Sequence, residues 1–155
     1  MVIKVVHTAD NHLDPTLRAY LHLRDQRRRD FWNSFKMVLD YSYKNRVDFL
    51  LISGDLFDKI NPRNPIRANL MKWFKKLHDI GTRIVFFGGH HDMPKSVEEG
   101  ASPIREFAEA GYVVFLSKRN EPEVAHFKVN DYDVCVSGMS YNFSLLPGED
   151  PLAKT

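Results

Sequence analysis

The chain has 155 residues, 43% of them hydrophobic and 27% charged, with a formal net charge of +2. That length suits one domain burying roughly 70% of the surface its unfolded form would expose, and the charge excludes a polyanion binder that works by bulk electrostatics, so any basic surface must be local. No apolar run reaches the roughly 20 residues of a membrane span, and the short apolar start, broken by Lys4 and ended by Asp10, is no signal peptide.

The single Cys135 cannot form an internal disulfide. Its apolar neighbours predict a small core residue, and the cysteine usage predicts a cytoplasmic protein. In chain order, residues 4–9 form a first strand-like run that leads into Asp10-Asn11-His12. An irregular polar stretch with Pro15 follows, then a helical pattern over about 25–45. Phe31, Phe35, Val38, Leu39 and Ser42 share one face of that helix, with Trp32 at the margin. Arg24, Arg27, Arg28 and Arg29 at its start project in different directions, so they read first as a solvated helix end and second as a phosphate-contacting edge.

Residues 49–53 are apolar or small without alternation, as in a strand buried on both faces. The run stops at Gly54 and delivers Asp55, with Asp58 close behind. After a loop over 59–63, Asn64-Pro65 predicts a helix start in which Asn64 caps and Pro65 occupies the first turn. Leu70, Trp73, Phe74 and Leu77 are its buried stripe, and Gly81 ends it. A third strand over 83–87 runs through Gly88-Gly89 into His90-His91-Asp92. Ser102-Pro103 opens a shorter helix carrying Ile104, Phe107 and Ala108, closed by Gly111, and 112–116 reads as a fourth strand. Residues 124–129 and 132–137, split by Asn130-Asp131, predict an antiparallel hairpin. Residues 142–155, with Pro147, Gly148 and Pro151 and no period, are expected to be a loosely ordered tail on a domain of residues 1–141. Strands alternating with helices predict an α/β fold, a largely parallel sheet flanked by helices, with the hairpin starting a second sheet.

An open parallel sheet builds its sites beyond the C-terminal ends of its strands. With the first three strands as neighbours, their tips gather Asp10, His12, Asp55, Asp58, His90, His91 and Asp92 at one edge. A lone acid after a strand is often only a cap or a turn residue. Three strand ends each carrying one, two of them beside histidine, form the pattern of a divalent metal site. Asp10 and His12 are two apart, so in an extended segment both leave the same face and chelate one ion. Gly54 and Gly88-Gly89 permit tight turns over the sheet edge. Carboxylate and imidazole together favour Mn, Fe, Ni or Zn over Ca or Mg. His7, His22, His78 and His126 read as structural or solvated residues, and Lys72, Lys75 and Lys76 as a solvated helix face.

Taken in order, Asp10-Asn11-His12 as D-x-H, Gly54 to Asp58 as G-D-x-x-D, and Gly89-His90-His91-Asp92 in place of G-N-H-D resemble the calcineurin-like metallophosphoesterases. His7-Thr8-Ala9-Asp10-Asn11-His12-Leu13 and Gly54-Asp55-Leu56-Phe57-Asp58 are similar to the wording of the SbcD-like nuclease subunits of double-strand-break repair complexes, which work with an SMC-like ATPase. The resemblance covers roughly residues 2–140. It implies the first half of an α/β/β/α sandwich and a two-metal phosphodiesterase that uses manganese, with zinc, nickel or iron as alternatives. Asp10 and His12 would hold one ion, Asp55 would bridge both and His90 would serve the second. His91 would act catalytically, stabilising or protonating the leaving oxygen, while Asp58 and Asp92 orient their neighbours. DNA and the ATPase are the implied partners, with no membrane. A homodimer would form through helices of this domain, at an exposed apolar residue of the second or third helix.

Two departures accompany the match. His90 stands where the family has asparagine, and this longer, softer ligand moves the second site toward zinc or nickel or spoils it. The family's later histidines, including a G-H-x-H, have no counterpart, because only His126 follows His91. The expectation is therefore the N-terminal part of a longer nuclease, or a natural remnant of one, weak or inactive as this chain alone. Two alternatives stay open: a small-molecule or nucleotide phosphodiesterase, and a non-catalytic module that docks DNA or the ATPase.

Overall fold

A computed structural model describes residues 2–96, 98–146 and 148–150. Four parallel strands, β1 (Val5–Thr8), β2 (Phe49–Ser53), β3 (Arg83–Phe87) and β4 (Val114–Leu116), lie side by side in sequence order. The helices α1 (Arg24–Lys44), α2 (Asn64–Asp79) and α3 (Arg105–Glu109) make the three crossovers. Right-handed crossovers stepping in one direction put every connecting helix on the same side of a sheet. Phe35 and Leu39 of α1, Leu70, Phe74 and Leu77 of α2, and Phe107 of α3 accordingly share one core with Leu50, Ile52, Ile84 and Phe86. The alternate residues Phe49 and Val85 face the other way, where an antiparallel hairpin, β5 (Glu123–Val129) and β6 (Tyr132–Gly138), covers them with Val129, Phe127, Val134 and Val136. The result is helices, parallel sheet and the beginning of a second sheet, in three layers.

Each fully buried phenylalanine contributes about 1.5–3 kcal/mol relative to exposure. Phe74 and Phe107 add an edge-to-face contact at 5.1 Å that ties α2 to α3. Thr8 pairs with Ile52, and Ile52 with Phe86, so the three strands end level. That register sends the segments after β1, β2 and β3 out over one edge.

Several expectations change at the level of single residues. β1 alternates exposed and half-buried, because it is an edge strand paired only with β2 among the described residues. Asn64 does not cap α2. Arg63 is the N-cap residue, no side chain caps it, and the Asn64 Oδ1 instead accepts a hydrogen bond from Arg67 Nη1 at 3.4 Å. Trp73 is only partly buried. A 3-10 turn over Arg18–Leu23 occupies part of the stretch read as irregular. Cys135 is exposed: Val134 and Val136 point inward, so the residue between them must point out, 3.1 Å from His126 Nδ1 on the paired strand. Among the described residues, the large exposed apolar side chains of the three α-helices are Met37 and Tyr41 of α1, with none on α2 or α3. Residues 151–155 of the expected tail lie outside the described residues.

Candidate metal centre

The loop after β1 runs beside the loop after β2 as though the two strands continued. Asp10 N donates to Gly54 O (3.1 Å), His12 N to Asp55 O (2.9 Å) and Leu13 N to Leu56 O (2.8 Å), and Asp58 N returns a bond to Leu13 O (3.0 Å). This pairing carries both sets of candidate ligands outward together. The segment is not extended, however. Asp10 (φ 52°) and His12 (φ 43°) are left-handed, as is Asp55 (φ 49°). Left-handed backbone is disfavoured for residues other than glycine and occurs where surrounding structure imposes it, often at functional sites. Asp10 and His12 therefore meet through tight backbone bends, Nε2 to Oδ1 3.9 Å, rather than by strand alternation.

The loop after β3 closes on the loop after β2 through glycine. Gly54 has φ +89°, and a Cβ there would stand 2.8 Å from Gly89 Cα. A Cβ on Gly89 would overlap Asp55 Oδ1 and N. With both glycines in place, Asp55 Oδ1 accepts a hydrogen bond from His91 N at 2.8 Å. The His91 ring lies edge-on to His12, centroids 4.9 Å apart, and its Nδ1 is 2.8 Å from Asp58 O. His12 Nε2 is 3.8 Å from Asp55 Oδ2, and one donor atom each from His12, Asp55 and His91 fall within 4.8 Å of one another.

That triad of donors fits a divalent cation of the transition series: two imidazoles and one carboxylate, half-buried, converging from three strand tips. His12 Nδ1 is buried without a hydrogen bond and sits 3.4 Å from Asp58 Oδ1. Asp58 is itself fixed, its Oδ2 accepting from Thr16 N (3.0 Å) and Thr16 Oγ1 (3.2 Å). Asp10 stands at the exposed margin of the group. His90 is turned outward, its ring 5.1 Å from that of Tyr141 and 5.4 Å from that of Phe143. A cleft of about 580 Å³ opens over Asp10, His12, Asp58 and His91, with Phe31, Phe35 and Val38 of α1 as its apolar wall.

Asp92 is fully buried behind the centre. It receives Leu56 N and Phe57 N, each at 3.0 Å, and so clamps the loop after β2 to the loop after β3. Burial pushes its carboxyl up to about 6, with the Asp55 charge adding to the rise and the backbone donors opposing it.

One residue beside the centre went unread in the sequence. Asp14, its side chain wholly buried, gathers Lys59 Nζ (2.9 Å), Arg63 Nε (2.6 Å) and N (3.0 Å), and Arg28 Nε (3.2 Å). Burial raises its carboxyl, but the bonds from Lys59 and Arg63 outweigh that and hold it below the usual range. Thr16 and the Tyr141–Phe143 pair were also unread. All three are recruited from distant or irregular chain, and no local spacing marks them. Arg28, counted with a solvated helix end, is an interior partner of Asp14 instead.

The layered fold and this edge of acids and imidazoles are in keeping with the calcineurin-like phosphoesterase family. The sequence profile of the calcineurin-like phosphoesterases matches residues 3–152, and the chain belongs to that family. Within it, the chain is similar to the DNA double-strand break repair protein Mre11 of Methanocaldococcus jannaschii, 32% identical over 139 residues, 88% of this chain and 34% of the relative. It is also similar to the Mre11 of Methanococcus maripaludis, 38% identical over 99 residues, covering 63% and 25%. The metallophosphoesterase YhaO of Bacillus subtilis, described as uncharacterized, is 31% identical over 91 residues, 56% of this chain and 22% of its own. The chain thus spans about a third or less of the length of these relatives. Among the described residues no helix is long and apolar enough to cross a membrane.

Proposed function

We propose that this chain carries the first part of a metal-dependent DNA nuclease, hydrolysing phosphodiester bonds in double-strand-break repair. The observation that supports the reading best is the meeting of His12, Asp55 and His91 donors at the tips of three parallel strands, in a chain of this family. The similarity to Mre11 proteins supports DNA as the substrate and break repair as the setting.

Asp10 and His12 would hold one cation, Asp55 would serve both, and His90, once turned away from Tyr141 and Phe143, would serve the second. Cations held there, manganese first with zinc, nickel or iron as alternatives, would supply Lewis-acid charge against the phosphate and would lower the pKa of an attacking water. Asp58 orients His12 through its Nδ1, 3.4 Å away. Asp92 locks the two loops that aim Asp55 and His91. His91, with Nδ1 held on the Asp58 carbonyl, has one nitrogen left, which would stabilise the leaving oxygen or donate a proton to it instead of joining His12 and Asp55 as a ligand. The partners are DNA and an SMC-like ATPase, with a homodimer as a further association. The catalytic unit is residues 1–141, with Phe143 just beyond it packed on the His90 ring, and it acts in the cytoplasm. Activity of this chain by itself would be weak or absent, because the family's later histidines, including a G-H-x-H, have no counterpart after His91.

Manganese titration by calorimetry tests the reading, with hydrolysis of DNA ends as the second readout. The Asp55→Ala variant is expected to lose manganese binding and any hydrolysis together. Unchanged metal content and activity in that variant would remove the proposal. A second reading, a non-catalytic docking module, is favoured by the outward turn of His90 onto Tyr141 and Phe143. Stoichiometric uptake of two ions per chain rules it out. A small ester hydrolysed far faster than DNA ends would point instead to a nucleotide or small-molecule phosphodiesterase.

A further inference from the structure

Beyond β6 the chain turns back across the tip of β3 and leaves two aromatic rings at the rim of the metal centre. Tyr141 and Phe143 lie with centroids 4.9 Å apart and planes at 72°, and both touch the His90 ring. Neither ring joins either hydrophobic core, and Tyr141 remains 45% exposed. The backbone leading into Tyr141 is nonetheless pinned. Tyr141 N donates to Gly88 O at 2.8 Å, and the buried Ser140 Oγ accepts from Gly88 N (2.8 Å) while donating to Leu116 O (2.6 Å). Two cations approach Phe143, the Arg119 guanidinium at 5.7 Å from the ring centre and Lys95 Nζ at 5.9 Å. Arg119 is fixed there by its bond to Pro94 O at 2.9 Å.

A pair of half-exposed rings, flanked by positive charge, matches two things that unpaired nucleic acid offers: flat base faces and a phosphate chain. Bases inside a duplex are already stacked and present only their edges, so this surface suits a strand whose bases are free. We infer that Tyr141 and Phe143 form a stacking platform for the unpaired bases next to the phosphate that enters the metal centre, with Lys95 and Arg119 on the flanking phosphates. The inference rests on the nuclease reading and narrows its substrate to single-stranded or frayed DNA ends. His90 couples the two: its ring bridges the platform and His91, 5.1 Å away.

The test uses the whole chain in EDTA at low salt, with fluorescence anisotropy of a labelled oligothymidylate of about 12 nucleotides and of an abasic strand with the same phosphates. The chain is expected to bind oligothymidylate about tenfold more tightly than the abasic strand, the size of one stacked base. Tyr141→Ala should abolish that preference and Tyr141→Phe should keep it. Equal affinity for the two strands, binding of neither, or a preference that survives Tyr141→Ala overturns the inference. If Tyr141→Ala fails to fold by circular dichroism, Phe143→Leu replaces it. The fluorescence of 2-aminopurine in the bound strand then gives a direct readout: quenching on binding supports stacking, and unchanged emission refutes it. Because EDTA removes metal from the measurement, its result is independent of the catalytic reading, which the manganese titration of Asp55→Ala judges separately.

Discussion

Asp14 and Asp92 show how two buried carboxylates a few residues from the same centre come to opposite electrostatic states. Three cationic side chains surround Asp14, whereas Asp92 meets only backbone donors and the Asp55 charge. Asp14→Ala leaves Arg28, Lys59 and Arg63 facing one another without their anion. The partial exposure of Lys59 and Arg63 screens part of that repulsion. We expect a loss of about 2–3 kcal/mol in urea unfolding at low salt, partly recovered in 1 M salt. For Asp92 the folded pKa of about 6 lies above the ordinary value of 3.8, so the folded state holds the proton more tightly than the unfolded chain. Its contribution is complete below about pH 4 and is lost as pH rises to about 6, on the order of 3 kcal/mol in all. Urea unfolding of the metal-free protein from pH 4 to 7, against Asp92→Asn, checks this. The wild type should lead at the acid end and lose that lead by pH 7.

At the scale of elements, the site depends on strands that end level and on glycines that let their continuations touch. Gly89→Ala should cost about 1–3 kcal/mol of stability from overpacking, yet nearly abolish manganese binding, because the new methyl displaces Asp55 itself. Calorimetry and urea unfolding of the same variant separate the two effects. Much of this arrangement was legible beforehand. Residues 49–53 announced a central strand because both of their faces are apolar, and Gly54 and Gly88-Gly89 marked the turns. The left-handed bends at Asp10 and His12 were not legible, since neither residue type signals them and the cause is pairing with the loop after β2. Cys135 was misplaced because its neighbours are apolar, although strict alternation along β6 already turns it outward. The Asp14 cluster and the Tyr141–Phe143 pair bring together residues far apart in sequence, which only the folded chain reveals.

For the molecule as a whole, cation binding and folding are linked. Three loops that contribute donors converge only in the folded chain, so any ion bound there stabilises that state alone. Manganese at about 100 times its dissociation constant should add about 2.7 kcal/mol. For a chain of this size that raises the melting temperature by roughly 5–10 °C over an EDTA-treated sample in a calorimetric scan. No shift at saturating manganese would mean that the donors do not act as one site.

The flank of β1 that no strand covers among the described residues carries a different consequence. A ribbon with main-chain donors and acceptors along one side, and Val5 uncovered beside them, is adhesive by construction. Whatever polypeptide lies against that flank, a further stretch of protein or a neighbouring copy, can lengthen the sheet by one strand, and it would do so within reach of the loop that holds Asp10 and His12.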